Sequence, residues 1–239
     1  MSQYNIKISI IIPCFNEKNT LVELINKVVL SLNNHKYEYF EIIVVDDGSV
    51  DGTKELIKKH FESKKNFKTF FHVKNMGKGA AIKTAKKFLS GDIIIIQDAD
   101  LEYNPDDYEK LIKPIVSDNY KVVYGSRVLN QNRYGASGFT SKLRILGNHL
   151  LTIISNIVNN QKLTDAHTCY KVFHKEVFDL IDLEEDDFAF CPEVTSKVAK
   201  LGFKIYEVPI SYNGRNYQEG KKIGLIDAFR AFKTLIKYR

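Results

Sequence analysis

The residues best suited to chemistry lie in Asp98-Ala99-Asp100, with Glu102 two positions on. They follow an apolar run, Ile93 to Ile96, of the kind a fully buried parallel strand needs. In open α/β sheets ligands bind beyond the carboxyl ends of the strands. Clustered like charges there oppose folding, and they make sense around a hard divalent cation such as Mg²⁺ or Mn²⁺, which takes oxygen ligands and holds substrate phosphates at the same time. The plainer alternative is a solvated acidic loop. Other strand ends decide between them.

Ile6 to Pro13 reads as a first strand that ends in the polar turn Cys14-Phe15-Asn16-Glu17. Phe40 to Val45 reads as a second, ending in Asp46-Asp47-Gly48-Ser49, with Asp51 or Thr53 placed to cap a helix over 54–61. Asp46 is placed to accept from a base N–H or ribose hydroxyls. A third strand, 67–72, precedes Asn75-Met76-Gly77-Lys78-Gly79 and a helix over 80–89. Backbone N–H groups and Lys78 suit a diphosphate at that turn. It is not a Walker loop, and no Gly-x-Gly-x-x-Gly follows the first strand, which argues against a dinucleotide dehydrogenase. A helix after Pro105 and a strand over 121–124 complete the first half.

Alternation at this spacing predicts a mostly parallel, Rossmann-like α/β sheet flanked by helices. The second half reads as an amphipathic helix over 141–158, a short strand within 169–173, a helix over 192–201, a strand over 203–211, a polar stretch over 213–222 and an amphipathic helix over 224–238. No repeat or linker divides the 239 residues, so one domain is expected, with halves at 1–126 and 127–212 and a basic loop and helix at 213–239.

Formal charge is +6, and residues 213–239 carry seven Lys or Arg against two acids. This local excess suggests an anionic partner. A nucleic-acid-binding module is disfavoured, because acids at the strand ends repel a polyanion without metal. The three cysteines, Cys14, Cys169 and Cys191, lack ligand spacing and suggest a reducing cytosol. No signal-type start or run of about 18 apolar residues is present.

Pro-Cys-Phe-Asn-Glu (13–17), Asp-Asp-Gly-Ser-x-Asp-Gly-Thr (46–53), Asn-x-Gly-Lys-Gly (75–79), Asp-Ala-Asp-Leu-Glu (98–102) and Gly-Ser-Arg (125–127) occur in that order. The set resembles the family 2 inverting glycosyltransferases of the GT-A fold, and within them the polyprenyl-phosphate group, the dolichol-phosphate mannose or glucose synthases. The resemblance implies that Pro13, Phe15, Glu17, Asp46, Asp47 and Asn75 line the nucleotide-sugar pocket, with Lys78, Asp98, Ala99 and Asp100 at the diphosphate. Asp98, Asp100 and Glu102 would hold Mg²⁺ or Mn²⁺, although the group commonly has Gln at position 102. It places Asp165 beside the anomeric carbon as a catalytic residue with Asp100 and Arg127. Ser126, Arg127, Arg144, Lys171, Arg215 and Lys221 would surround an acceptor phosphate, the last two on a segment resembling the group's mobile acceptor loop.

The implied reaction is a metal-dependent inverting transfer of a hexose from a UDP- or GDP-sugar to undecaprenyl or dolichyl phosphate. Such an acceptor is anionic already and needs no strong base. The alternative is a saccharide hydroxyl acceptor in cell-surface glycan synthesis, which needs a general base: Asp165 first, Glu193 second. Glu193 otherwise reads as a solvated first-turn acid, and His149 and His167 as structural. Tyr212 and Tyr217 are candidates to flank the acceptor groove. A polyprenyl tail implies peripheral contact with the cytoplasmic membrane face, through the apolar faces of 141–158 and 224–238. Otherwise those faces pack on the sheet or form a homodimer contact.

Overall fold

The computed structural model describes residues 6–129, 139–214 and 225–239; within these, the side chains of 139–145 and 225–228 are not described. Five apolar runs became the expected strands: β1 (Ile8–Cys14), β2 (Phe40–Asp46), β3 (Phe67–Phe71), β4 (Ile93–Ile96) and β5 (Val122–Ser126). Between them run α1 (Leu21–Asn34), α2 (Thr53–His60), α3 (Lys78–Lys86) and α4 (Tyr108–Ser117), the last preceded by a 3₁₀ turn at Pro105–Asp107. Then follow α5 (Phe139–Asn159), β6 (Lys171–His174), α6 (Lys175–Leu180), α7 (Phe190–Lys200), β7 (Ile205–Pro209) and α8 (Leu225–Lys237). Only α6 lacked a sequence expectation, because its six residues are too few to show a helical period.

The seven strands form one sheet in the order β3-β2-β1-β4-β6-β5-β7. β1 pairs with β2 and β4, β2 with β3, and β5 with β7, all parallel. β6 is antiparallel to both β4 and β5. The carboxyl ends of the six co-directed strands therefore share one rim. The chain enters β6 from that same rim, which brings 165–170 beside the ends of β4 and β5. The order reverses at β1, whose neighbours are β2 and β4, so the ends of β1 and β4 flank a topological switch point. The four isoleucines of β4 are at most 1% exposed, which explains their unbroken apolar run.

At the opposite edge a buried acid ties three strand starts together. Glu41 accepts from Ser9 Oγ at 2.5 Å, from Ser90 N at 2.6 Å and from Ser90 Oγ at 2.8 Å. Lys68 Nζ pairs with it at 2.8 Å. Burial alone would push the Glu41 carboxyl up; the bonds from Lys68, Ser9 and Ser90 outweigh it and bring the pKa down to about 2. A depressed carboxylate stabilises fully above its ordinary value, and that stabilisation fades as pH falls from there through the folded value. Glu41→Gln should cost about 2 kcal/mol at pH 7, since buried donors lose an ionic partner. Thermal melts from pH 7 to 2 should show wild type losing this advantage between about pH 4.5 and 2; parallel curves for both proteins would refute the assignment.

Candidate active site

The rim begins with two turns zipped together. Asn16, at φ 56°, accepts from Val50 N at 2.9 Å, and its own N–H donates to Ser49 Oγ at 2.8 Å. Glu17 N donates to Thr53 Oγ1 at 3.0 Å, and Lys18 N to Asp51 Oδ2 at 3.1 Å. Asp51 Oδ1 also accepts from Thr53 N at 3.0 Å; the N-cap of α2 is Gly52, at φ 98°, rather than either of the two residues expected. A cleft of about 450 Å³ opens here, lined by Asn16, Glu17, Thr20, Asp51, Asp100 and Asn213 among others. It sits at the switch point between β1 and β4.

Asp46 and Asp47 behave differently. Asp46 is fully buried; its Oδ2 accepts from Ser49 N at 3.3 Å, and its Oδ1 has no hydrogen-bond partner. Burial raises its pKa above the usual carboxylate value. An orphaned buried acceptor of this kind suits a ligand donor such as a base N–H or a ribose hydroxyl. Asp47, expected on the nucleotide sugar, instead accepts from Met76 N at 2.9 Å, Gly77 N at 2.7 Å and His72 Nδ1 at 2.7 Å. It holds the turn into α3 and leaves exposed Asn75 at the tip.

That turn aims Lys78 at the end of β4. Lys78 Nζ lies 2.5 Å from Asp98 Oδ1 and 3.2 Å from Cys169 Sγ. Burial opposes the ammonium charge, but Asp98 beside it prevails and holds the Lys78 pKa above its ordinary value. Beneath, Tyr108 and Tyr170 hydroxyls donate to Gln97 Oε1 at 2.8 and 2.7 Å, and Gln97 Nε2 donates to Asp98 O at 3.0 Å. This polar layer, missed in the sequence, fixes the Asp98-Ala99-Asp100 turn. Ala99 is buried and only the two acids turn outward.

Glu102, expected as a third metal ligand, has another job. Its Oε2 accepts from Tyr212 OH at 2.7 Å, and its carbonyl accepts from Asn213 N at 2.9 Å. It tethers the end of the segment after β7. Among the described residues no group of three or more His, Cys, Asp or Glu is arranged to hold a metal. Asp98 and Asp100 fit the chemistry of a cation held by two carboxylates, with phosphate and water oxygens filling its other positions.

At the end of β5, Arg127 Nε lies 2.7 Å and Nη2 2.8 Å from the two oxygens of Asp165, and Arg127 N donates to Asp165 Oδ2 at 3.1 Å. Burial pushes the Asp165 carboxyl up, yet Arg127 outweighs it and the net shift is downward. Arg127 also lies over the Tyr212 ring, 5.1 Å from its centroid. Glu207 of β7 accepts from Thr164 N at 2.6 Å and Asp165 N at 2.9 Å. Glu207 was not expected; a lone acid within the otherwise apolar run of its strand was its only signal. His167 is held neutral, its pKa lowered to about 4 by burial and by Lys171.

Two residues expected at the acceptor phosphate are buried and bonded within the protein. Lys171 is fully buried; its ammonium donates to Ala166 O at 2.9 Å and lies 3.8 Å from the Tyr124 ring centroid. Ser126 is fully buried, sharing a 2.7 Å hydrogen bond with Thr164 Oγ1 and accepting from Leu129 N at 3.0 Å. Neither reaches an external phosphate in this arrangement. Glu193 is likewise fully buried, not solvated, and accepts from Glu184 N at 2.6 Å and Glu185 N at 3.0 Å. Arg215, Lys221 and Tyr217 lie outside the described residues, as does the side chain of Arg144.

Residues 9–181 match the profile of Glycosyl transferase family 2. The chain belongs to that family. It is a glycosyltransferase, as the motifs implied. It is 31% identical over 246 residues to a UDP-N-acetylglucosamine–dolichyl-phosphate N-acetylglucosaminyltransferase of Methanococcus voltae, covering 96% of this chain and 94% of the relative. It is 28% identical over 232 residues to a dolichyl-phosphate beta-glucosyltransferase of Trichomonas vaginalis, covering 93% and 70%. Glucosyl-3-phosphoglycerate synthase from Mycobacterium tuberculosis, solved with Mn²⁺, UDP and phosphoglyceric acid, superposes with a TM-score of 0.71 at 17% identity, over 98% of this chain and 78% of that one. That likeness supports the GT-A fold.

The Arg127–Asp165 pair should dominate local stability. Asp165→Ala leaves a buried guanidinium unpaired, so chemical denaturation should show a loss of about 3 kcal/mol. A loss under about 1 kcal/mol would mean that the pair is solvated.

Proposed function

We propose that this glycosyltransferase moves a hexose from a UDP- or GDP-sugar to a polyprenyl phosphate by one inverting displacement with Mg²⁺ or Mn²⁺. The observation that carries the reading is the locked state of Asp165. A carboxylate gripped by both arms of Arg127 and lowered in pKa is a poor proton acceptor near neutrality. A hydroxyl acceptor needs a base there, and neither Glu207, engaged by two backbone N–H groups, nor His167, at about 4, serves well. A lipid monophosphate is already ionised and needs none. Both curated relatives are named for transfer to dolichyl phosphate, which supports the same acceptor class.

Asp46 and the 13–17 turn then face the nucleoside, with Asp98 and Asp100 holding the cation. The metal would offset charge developing on the departing diphosphate. Lys78 adds a fixed positive charge on the same side, and Arg127 presents positive charge where the acceptor phosphate approaches. Asp165 fixes the guanidinium and balances cationic character at C1.

Among the described residues no helix is long and apolar enough to cross a membrane. Two helices carry open apolar stripes: Leu146, Leu150, Ile153 and Ile157 on α5, and Phe229, Phe232 and Ile236 on α8. Exposed Lys233 and Arg239 accompany the second. This pattern suits the headgroup region of an anionic bilayer, on the cytoplasmic face where the nucleotide sugar is available.

With polyprenyl phosphate as acceptor, the rate should rise through about pH 6, as the acceptor gains its second charge, and then stay level to pH 8. Transfer only to saccharide hydroxyls would overturn the acceptor. Asp100→Asn should lower kcat on the order of a hundredfold. Phe229→Ser with Ile236→Ser should abolish flotation with anionic vesicles; a dimer in solution that ignores vesicles would assign the face to a second copy.

A further inference from the structure

The segment Glu184-Glu185-Asp186-Asp187 sets four acids in a row, which should repel one another and drift into solvent. It is instead strapped down from three sides. Beneath it, Glu193 accepts from the Glu184 and Glu185 N–H groups, and Lys197 bonds both Glu184 and Glu193 at 2.8 Å. On one flank lies α3. Lys83 pairs with Asp186 at 2.5 Å and donates to Glu184 O at 2.8 Å. On the other flank lies α8: Arg230 Nη1 is 2.9 Å from Asp187 Oδ2, Lys237 Nζ is 2.8 Å from Glu185 Oε1, and Tyr238 OH donates to Glu185 at 2.9 Å.

The contact with α3 is by backbone. The Gly77 cap has no side-chain cap hydrogen bond, and Asp186 O accepts from Ala80 N at 2.9 Å, satisfying a first-turn donor that has no partner within the helix. A Cβ at Gly79 would stand 2.2 Å from Glu185 O, and one at Gly77, which has φ +104°, 2.4 Å from Asp186 O. The glycines let the strap press onto the turn that carries Lys78. Asp47 grips the same turn from the sheet side through Met76 N and Gly77 N.

We propose that the acidic strap 184–187 positions the donor turn, and that α8 sets the strap through Arg230 and Lys237. This rests on the reading that Lys78 and Asp98 face the nucleotide-sugar diphosphate. Among the described residues, the ion pairs of Arg230 and Lys237 go to the strap, so the two are positioning residues. When α8 holds the strap, Asp186 O caps Ala80 and Lys78 stays opposite Asp98. When the clamp is lost, like-charge repulsion lifts the strap and the turn loses that cap. Donor affinity therefore follows the docking of α8.

The test is calorimetric titration of the full chain with UDP and with GDP, each with Mn²⁺, alongside thermal melts. Arg230→Asp and Asp187→Arg should each weaken nucleotide binding by about three- to tenfold, and the charge-swapped double variant should restore it to within about twofold. Gly79→Ala, which pushes the strap off directly, should weaken binding in a protein that still melts cooperatively. A merely structural clamp would lower the melting temperature and leave nucleotide affinity unmoved. Unchanged affinity in both single variants, or a loss that the swap does not restore, overturns the proposal. Failure of the unmodified protein to bind either nucleotide overturns the donor reading, and this inference with it.

Discussion

Buried carboxylates need partners, and this protein gathers them on one rim. Asp46, Asp47 and Asp165 are buried and Asp98, Asp100 and Glu102 partly buried, all at or beside strand ends. Each partner has a structural consequence. Asp47 takes the N–H groups of the α3 turn, Asp98 takes Lys78, Asp165 takes Arg127, and Glu102 takes Tyr212. The side chains that neutralise the rim are therefore the ones that shape it. Asp46 is compensated little: Ser49 is its partner, one oxygen is unpartnered and its pKa is raised. The imbalance falls where a nucleoside would supply donors.

The two halves of the site meet because β6 runs backwards. Were it parallel, 165–170 would lie at the far edge, beside the Glu41 cluster. Running antiparallel between β4 and β5, it delivers Asp165 to Arg127 at one end of a short loop. It delivers Cys169 to Lys78 at the other. The thiol stays protonated, because burial and Asp98 raise its pKa. The same short stretch thus spans from Lys78 to Arg127.

What the sequence made legible follows from periodicity and punctuation. A uniform apolar run as short as 93–96, with polar flanks, suits a buried strand better than a helix, and the polar turns after such runs mark the rim. Strand direction leaves no trace in such runs, so β6 could be placed but not oriented. Depth was also hidden. Lys171 and Ser126 lie next to residues that reach the rim, yet a two-residue period sends neighbours to opposite faces of the sheet, and both turned inward. Glu193 looked solvated because acids in first helical turns usually are; its partners, the Glu184 and Glu185 N–H groups, come from a loop that no local pattern announces. Glu207 carried a signal, an acid in a strand otherwise rich in apolar residues, whose meaning emerged only once the Asp165 loop was seen against it.

The C-terminal helix shows how a charge count can mislead. Its sequence reads as one apolar stripe interleaved with bases. In the fold it has two: Ala231, Leu235 and Tyr238 pack inward, while Phe229, Phe232 and Ile236 stay open. The bases divide in the same way. Arg230 and Lys237 turn to the acidic strap and pair with its carboxylates. All four bases are exposed, and Lys233, with Arg239 just past the helix, carries no ion pair to the strap. The basic excess that suggested an external anion is thus partly an internal device. An apolar stripe beside these two bases is a weaker lure for a polyanion than the formal charge implies. It suits a bilayer surface, where buried apolar area does most of the binding and a few cations add to it.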